Sequence, residues 1–399
     1  MKKILIFSHA MEIGGAERSL LGLLEAIDTT KYQVDLFLMR HEGELMKYIP
    51  EEINILPEIP QYACLAVPIA TVIKKRQMAM VIGRYIGKRQ AAKRVKQLNL
   101  PDDNDVALQY SHKYTLKYVP KVNNIQYDLA ISFLTPHYFV AEKVMAKKKI
   151  AWIHTDYSVV SVDKEEQLLM WNKYDKVISI SEQVSSTFLK IFPELGNKLS
   201  IIPNIMPMSY LKKMACSAVT DNEMPDDGSV KLLSIGRFCV AKNFDNIPFI
   251  CKAIRNKGYK VKWYLIGFGG SEKLIKEKID EAGMRECVII LGKKENPYPY
   301  IKACDIYIQP SRYEGKCVSV IEAQILNKPV VITKYPTAGS QLRDGIDGIV
   351  VPMDNEGCAE GIMNILRDKK CQKYLIENTK KYDYSNMKAI EIIYELLEE

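Results

Sequence analysis

The stretch Asp305-Ile-Tyr-Ile-Gln-Pro-Ser-Arg-Tyr-Glu314-Gly-Lys-Cys-Val-Ser-Val-Ile-Glu322-Ala-Gln-Ile-Leu-Asn-Lys-Pro-Val-Val-Ile-Thr333 decides the fold. Residues 305–309 and 329–333 are short apolar runs rich in Ile, Val and Tyr, the pattern of strands buried on both faces. Between them, Val318, Ile321 and Ile325 recur at helical spacing. Strand, polar loop, helix and strand make a parallel βαβ unit. Open sheets of this kind bind ligands outside the carboxyl ends of their strands, which is where this loop sits. The loop carries Glu314, and Glu322 follows eight residues later, about two turns away on the helix. The N–H groups of Cys317 and Val318 open that helix and are expected to face an anion with its positive dipole end. Two accepting carboxylates beside such a helix start suit a molecule with hydroxyls and a diphosphate, as a nucleotide-sugar has.

The same alternation extends outward in both directions. Strand-like runs at 231–236, 263–267, 288–291 and 349–351 share residues 208–382 with helical segments, one of them opening near Phe244. Upstream, runs at 3–8, 34–39, 53–56, 128–133, 150–154 and 177–181 assign residues 1–207 to a first domain. A polar stretch at 219–229 reads as a linker. The tail, 383–399, reads as an amphipathic helix. The expected class is α/β, with two Rossmann-like, doubly wound domains facing across a cleft, and 399 residues suffice for both cores.

Composition excludes several classes. Apolar residues at 47% and charged residues at 26% are globular values. Nine cysteines without a C-x-x-C pair fit reduced thiols in the cytoplasm, and the five histidines lack metal-ligand spacing, so no metal or cofactor is expected. The apolar run before His9 is too short for a signal peptide, and no 18-residue apolar span exists. The net charge of +8 is unevenly distributed. Residues 61–100 contain no Asp or Glu, but have an apolar first half followed by Lys74, Lys75, Arg76, Arg84, Lys88, Arg89, Lys93, Arg94 and Lys96. Cations beside apolar residues on helical stretches suit an anionic membrane surface, with 74–96 as the contact. A solvated helix face is the plainer alternative. Nucleic acid is disfavoured because only Tyr85 interleaves as a stacking aromatic.

Further segments start from predicted strand ends. Gly236-Arg237 and Lys242 offer a fork and a point charge to a diphosphate. Gly267-Phe-Gly269-Gly270 suits close backbone approach, as does Gly14-Gly15 at the first strand end, although either is also found in a plain tight turn. Neither domain carries the G-x-G-x-x-G fingerprint of dinucleotide binding, which disfavours a dehydrogenase.

Together these residues resemble a known family. Gly14-Gly15-Ala-Glu-Arg, Gly236-Arg237 with Lys242, Gly267-Phe-Gly269, Pro310-Ser311, the Glu314/Glu322 pair and Gly339-Ser-Gln-Leu-Arg-Asp-Gly345 make the chain similar to retaining GT-B glycosyltransferases of family 4, of bacterial surface-polysaccharide type. The resemblance covers nearly the whole chain. It implies transfer of a hexose or N-acetylhexosamine, with retention, from a nucleotide-sugar, uridine-linked by expectation, without metal. The first domain, 1–207, would bind the acceptor and 208–382 the donor, while the helix of 383–399 crosses back to the first domain. Arg237 and Lys242 would hold the diphosphate and stabilise leaving-group charge. Glu314 would accept from sugar hydroxyls and Glu322 from the ribose. Gly14, Gly15, Gly236, Gly267, Gly269, Asn296, Lys316, Cys317 and Val318 complete the implied donor site, and His154 would lie beside the reacting sugar. Without an obvious general base, front-face attack assisted by the leaving phosphate is the implied mechanism. Lys316-Cys317 departs from the small or aromatic residues usual after the first glutamate, which leaves the sugar open. A lipid-linked glycan acceptor at the inner face of the cell membrane is the leading expectation. A soluble acceptor, a nucleotide-sugar epimerase and a non-catalytic nucleotide-sugar-binding protein are the alternatives.

Overall fold

A computed structural model describes all residues except 66, 102–103, 156, 159, 218–219, 221, 315 and 399. Gly315 of the Glu314 loop and Val219 of the expected linker therefore lie outside the described residues. The chain divides into two compact units, Met1–Met206 with Asn386–Glu399, and Pro207–Ser385.

The first unit is a seven-stranded parallel sheet of β1 (Lys2–Ser8), β2 (Tyr32–Leu38), β3 (Asn54–Ile55), β4 (Gln126–Ser132), β5 (Met145–Ile153), β6 (Lys176–Ser179) and β7 (Leu199–Ile201). Its spatial order is β3-β2-β1-β4-β5-β6-β7, so the winding reverses between β1 and β4. The central strands are buried over most of their length, which is why they read as continuous apolar runs. Phe7, Phe37, Tyr62 and Phe139 form one ring cluster, with Phe37–Tyr62 and Tyr62–Phe139 centroids both 5.0 Å apart. The tail helix Ile390–Glu398 packs on this unit. Tyr394 stacks on Tyr32 at 4.6 Å and accepts the Asp28 N–H at 2.7 Å.

The second unit is a six-stranded parallel sheet of β8 (Val230–Ile235), β9 (Val261–Ile266), β10 (Val288–Gly292), β11 (Ile306–Gln309), β12 (Val330–Thr333) and β13 (Ile349–Val351). The order β10-β9-β8-β11-β12-β13 reverses between β8 and β11. The loops after those two strands therefore flank the crevice where such sheets take ligands. The helix expected near Phe244 begins only at Ile247. A single 3-10 turn, Val240–Lys242, comes first, and Asn243 at φ +60° breaks the path. Asn243 is fixed there by its Nδ2 bond to the Pro310 carbonyl, 2.9 Å.

The acid-free insert folds as helices Ile69–Lys74 and Met78–Leu98. The long helix lies against the next helix, Val106–Thr115, through Gly83, Gly87 and Ala91. A Cβ on Gly87 would meet the Tyr110 carbonyl oxygen at 2.7 Å, so the absence of a side chain permits the contact. Two of the nine cations face inward. Arg84 donates to the carbonyls of Cys64 (3.0 Å) and Val67 (2.6 Å), and Arg94 donates to Asp163 at 2.6 Å. Expecting all of 74–96 to be a free basic face overlooked these two. The other seven are exposed, beside Ile69, Ile73, Met78, Ile82 and Tyr85 at 40% to 65% exposure.

Asp163 holds this region together. Its buried carboxylate accepts from Arg94, from the Tyr110 hydroxyl at 2.9 Å and from the Glu166 N–H at 3.4 Å, capping the helix Lys164–Trp171. Gln109 bonds its backbone N–H and C=O, each at 3.3 Å. Burial pushes the carboxyl's pKa up, but the bonds from Arg94 and Tyr110 outweigh it and hold the group below the usual aspartate value. Asp163→Ala removes a helix cap and one side of a buried ion pair, and is expected to cost about 3 kcal/mol in urea denaturation at neutral pH. Because the folded pKa is depressed, this contribution is present above the ordinary aspartate pKa and disappears as pH falls through the folded value. A wild-type-minus-variant stability difference that grew on acidification would overturn the assignment.

Candidate active site

Two loops of the second unit, after β8 and β11, are stapled together at the order reversal. Arg312 pairs with Asp245 at 2.7 Å and donates to the Val240 carbonyl at 2.6 Å, adding to the Asn243–Pro310 bond. Within this frame the Lys242 ammonium reaches Glu314 Oε1 at 2.5 Å and Cys317 Sγ at 3.7 Å. Ser311 Oγ donates to the same carboxylate oxygen at 2.6 Å, and Thr337 Oγ1 to the Glu314 carbonyl at 2.7 Å. The pair is mostly buried, with side-chain exposures of 17% for Lys242 and 11% for Glu314. Burial pulls the lysine's pKa down, but the Cys317 and Glu314 side chains beside it outweigh that and leave it above its ordinary value. The ammonium is thus charged at neutral pH. Two of its three N–H groups are engaged, which leaves one for a ligand.

Arg237 is exposed, with no ion-pair partner among the described residues. Lys316 is half-buried, and burial lowers its pKa. Gly236 N–H donates to the Ile266 carbonyl at 3.0 Å, joining the β8 and β9 loops.

Four expected donor-site features take different positions. Gly267 and Gly269, at φ +151° and +152°, do approach backbone closely, but the backbone is the protein's own. A Cβ on Gly267 would stand 1.9 Å from the Gly236 carbonyl oxygen, and one on Gly269 2.5 Å from that of Phe238. The Cys317 N–H, expected to face an anion, is bonded to Gln341 Oε1 at 2.7 Å, while Val318 begins the helix Val318–Ile325. Glu322 lies fully buried beneath the loop and accepts the Tyr298 hydroxyl at 3.0 Å. Asn296 spends its amide on the Met214 carbonyl and Ser217 Oγ, both at 2.9 Å, and so clamps its own loop. Ser311, Arg312, Thr337 and Gln341 were not identified as site residues. The site partners of Arg312, Thr337 and Gln341 lie at least 23 residues away, so spacing carries no signal for them, whereas Ser311 stands three residues before Glu314.

In the first unit, His154 follows β5 and lines a cavity of about 150 Å³ with His112 and His137. Burial lowers the His154 pKa to about 4 and those of His112 and His137 to about 3, so all three are neutral at pH 7. His137 Nδ1 is 2.8 Å from Ser132 Oγ. His154 Nε2 and the indole N–H of Trp152, which also lines the cavity, are buried without a hydrogen-bond partner. Gly14 caps the helix Gly15–Ala26 after β1, with the Glu17 carboxyl where a Cβ would stand.

The glycine geometry gives a test. Gly267→Ala meets both positive φ and a backbone oxygen, and is expected to cost at least about 2 kcal/mol in chemical denaturation. Gly270→Ala, where no atom lies within 4 Å, should stay within about 0.5 kcal/mol of wild type. Equal effects would overturn the packing role.

With this geometry in view, comparison with known proteins is informative. Residues 221–382, most of the second unit, match the family model described as glycosyl transferases group 1. The chain is 24% identical over 389 residues to a Campylobacter jejuni N-acetylgalactosamine-N,N'-diacetylbacillosaminyl-diphospho-undecaprenol 4-alpha-N-acetylgalactosaminyltransferase, covering 94% of this chain and 92% of that one. It is 26% identical over 174 residues to an uncharacterized glycosyltransferase of Methanocaldococcus jannaschii, covering 43% of this chain and 42% of that one. The crystal structure of Anabaena HepE in complex with UDP superposes with a TM-score of 0.62 at 17% identity, covering 99% of this chain and all of that one. The two Rossmann-like units are those of the GT-B fold, and by its second unit and its relatives the chain is a glycosyltransferase.

Proposed function

We propose that the chain moves a hexose or N-acetylhexosamine, with retention, from a uridine-linked nucleotide-sugar to a lipid-linked glycan in the assembly of a bacterial surface polysaccharide. The observation that carries the reading is the Lys242–Glu314–Ser311 cluster at the strand-order reversal of the second unit, with Arg237 adjacent. The remaining N–H of Lys242 and the Arg237 fork offer positive charge to a diphosphate, where it stabilises the charge that grows as the glycosidic bond breaks. No metal is needed for that role in the proposal. Glu314, held by Lys242 and Ser311 in the free protein, exchanges those bonds for hydroxyls of the donor sugar. The first unit takes the acceptor.

The lipid-linked acceptor and the base draw on two likenesses. The Campylobacter relative is named for a diphospho-undecaprenol acceptor, and the Anabaena structure holds UDP. The exposed apolar and basic residues of Ile69–Lys74 and Met78–Leu98 supply a surface for anionic lipid. No helix of the described residues is long and apolar enough to cross a membrane, so the proposed attachment is peripheral, on the cytoplasmic face.

Thermal unfolding with UDP, GDP, ADP and dTDP tests the donor site. Stabilisation by UDP, lost in Lys242→Ala, is the expected result, and no shift with any diphosphate overturns the reading. Glu314→Gln should lower kcat for transfer by about 100-fold, measured by nucleotide release. Unchanged turnover would overturn the role of Glu314, and absence of turnover in the wild type would favour a binding protein without catalysis. Pelleting with anionic vesicles should recover the protein at low salt and not at high salt. Failure to pellet would favour the soluble-acceptor alternative.

A further inference from the structure

The cavity beside His154 is not built for an anion. Among the described residues it is lined by no lysine or arginine, its three imidazoles are neutral, and its one carboxylate is that of Asp105. A phosphate has no counter-charge there. The walls are aromatic on two sides: Trp171 comes from the helix Lys164–Trp171, and Tyr157 from the loop after β5. Both are held by one acceptor, Gln167 Oε1, which takes the Trp171 indole N–H and the Tyr157 hydroxyl at 3.2 Å each. Against these walls stand polar atoms with no protein partner, among them Trp152 Nε1 and His154 Nε2. A buried donor left unpaired is costly unless a ligand completes it. Apolar ring faces next to unpaired hydrogen-bonding atoms suit a pyranose, whose C–H faces stack and whose hydroxyls both donate and accept.

We infer that this cavity receives one neutral sugar ring, and that Trp152, through its indole N–H, is a specificity-determining residue for it. On the proposed function, on which this assignment rests, the ring is the terminal sugar of the acceptor. The diphosphate of a lipid-linked acceptor stays outside the cavity. The ring's hydroxyls take up Trp152 Nε1 and His154 Nε2, while Gln167 keeps the aromatic walls in place.

Two of the three tryptophans line the cavity, so intrinsic fluorescence reports on its occupation. The full-length protein is titrated with methyl glycosides of neutral hexoses and N-acetylhexosamines, and separately with inorganic pyrophosphate. A fluorescence change with at least one glycoside and none with pyrophosphate is expected. Trp152→Phe keeps the ring and removes the N–H, and should weaken glycoside binding three- to ten-fold, about the worth of one neutral hydrogen bond. Val160→Phe, at a half-buried position on the cavity wall, fills the space while keeping the Trp152 indole, and should abolish binding. The inference is overturned by the absence of a response to any glycoside, by an equal response to pyrophosphate, or by unchanged affinity in both variants. The thermal shift with UDP, measured on the same samples, reports on the second unit separately. Unliganded melting close to that of the wild type shows that both variants fold, and loss of glycoside binding with a retained UDP shift then supports the inference. Absence of a UDP shift in the wild type would count against the proposed function, while the glycoside titration still decides whether the cavity binds sugar.

Discussion

The ion pair between Lys242 and Glu314 is the interaction on which the second unit's ligand end depends. It joins two loops 72 residues apart in sequence, each leaving a strand at the point where the sheet order reverses. A mostly buried pair of this kind contributes little net stability, because desolvating both charges offsets most of their attraction. Its effect is positional. The carboxylate keeps the ammonium charged and fixed in a partly dry site, and Ser311 and Cys317 prevent either side chain from swinging away. The loops are held independently by Arg312–Asp245 and Asn243–Pro310, so releasing the central pair to a ligand would not release the loops.

The first unit uses the same device for a different end. Asp163 is a buried carboxylate fixed by Arg94, Tyr110 and a helix N-terminus, and it sets the start of the helix that carries Gln167 and Trp171. Here the charge is fully neutralised within the protein and none is left for a ligand. The basic helix Met78–Leu98 is tied by Arg94 into the same scaffold that shapes the cavity wall. Its remaining cations face solvent from a support fixed at Gly83, Gly87 and Ala91.

How much of this was legible follows from where the partners lie. The strands were readable to within a few residues because parallel strands buried on both faces are unbroken apolar runs, and the glutamate loop was readable because its strand, loop and helix are contiguous. Contacts made across the sheet were not. Gly267 and Gly269 signalled close backbone approach correctly, but sequence does not say whose backbone, and it is that of Gly236–Phe238. The Cys317 N–H looked free until Gln341, 24 residues later, came round to take it. Glu322 looked like a surface acceptor because a helix start carries no mark of depth, whereas Tyr298 covers it. Counting cations in 61–100 treated Arg84 and Arg94 like their neighbours, although their acceptors at Cys64, Val67 and Asp163 turn them inward. Trp152 passed unremarked inside an apolar strand, since an indole N–H without a partner is visible only in three dimensions.

The two units therefore divide the electrostatic work. Around Lys242 the second unit concentrates cations that its own carboxylates only partly offset, a requirement for any group that must take up negative charge as a bond breaks. Around His154 the first unit keeps positive charge out, by burying imidazoles until they are neutral, and leaves Asp105 as the one carboxylate on the cavity wall. In the proposed function the diphosphate belongs to the second unit, so the cavity needs no cation of its own. Neutral donors and acceptors hold a hydroxylated ring without disturbing that balance. A transferase needs both environments, since one substrate leaves as an anion and the other enters as an alcohol.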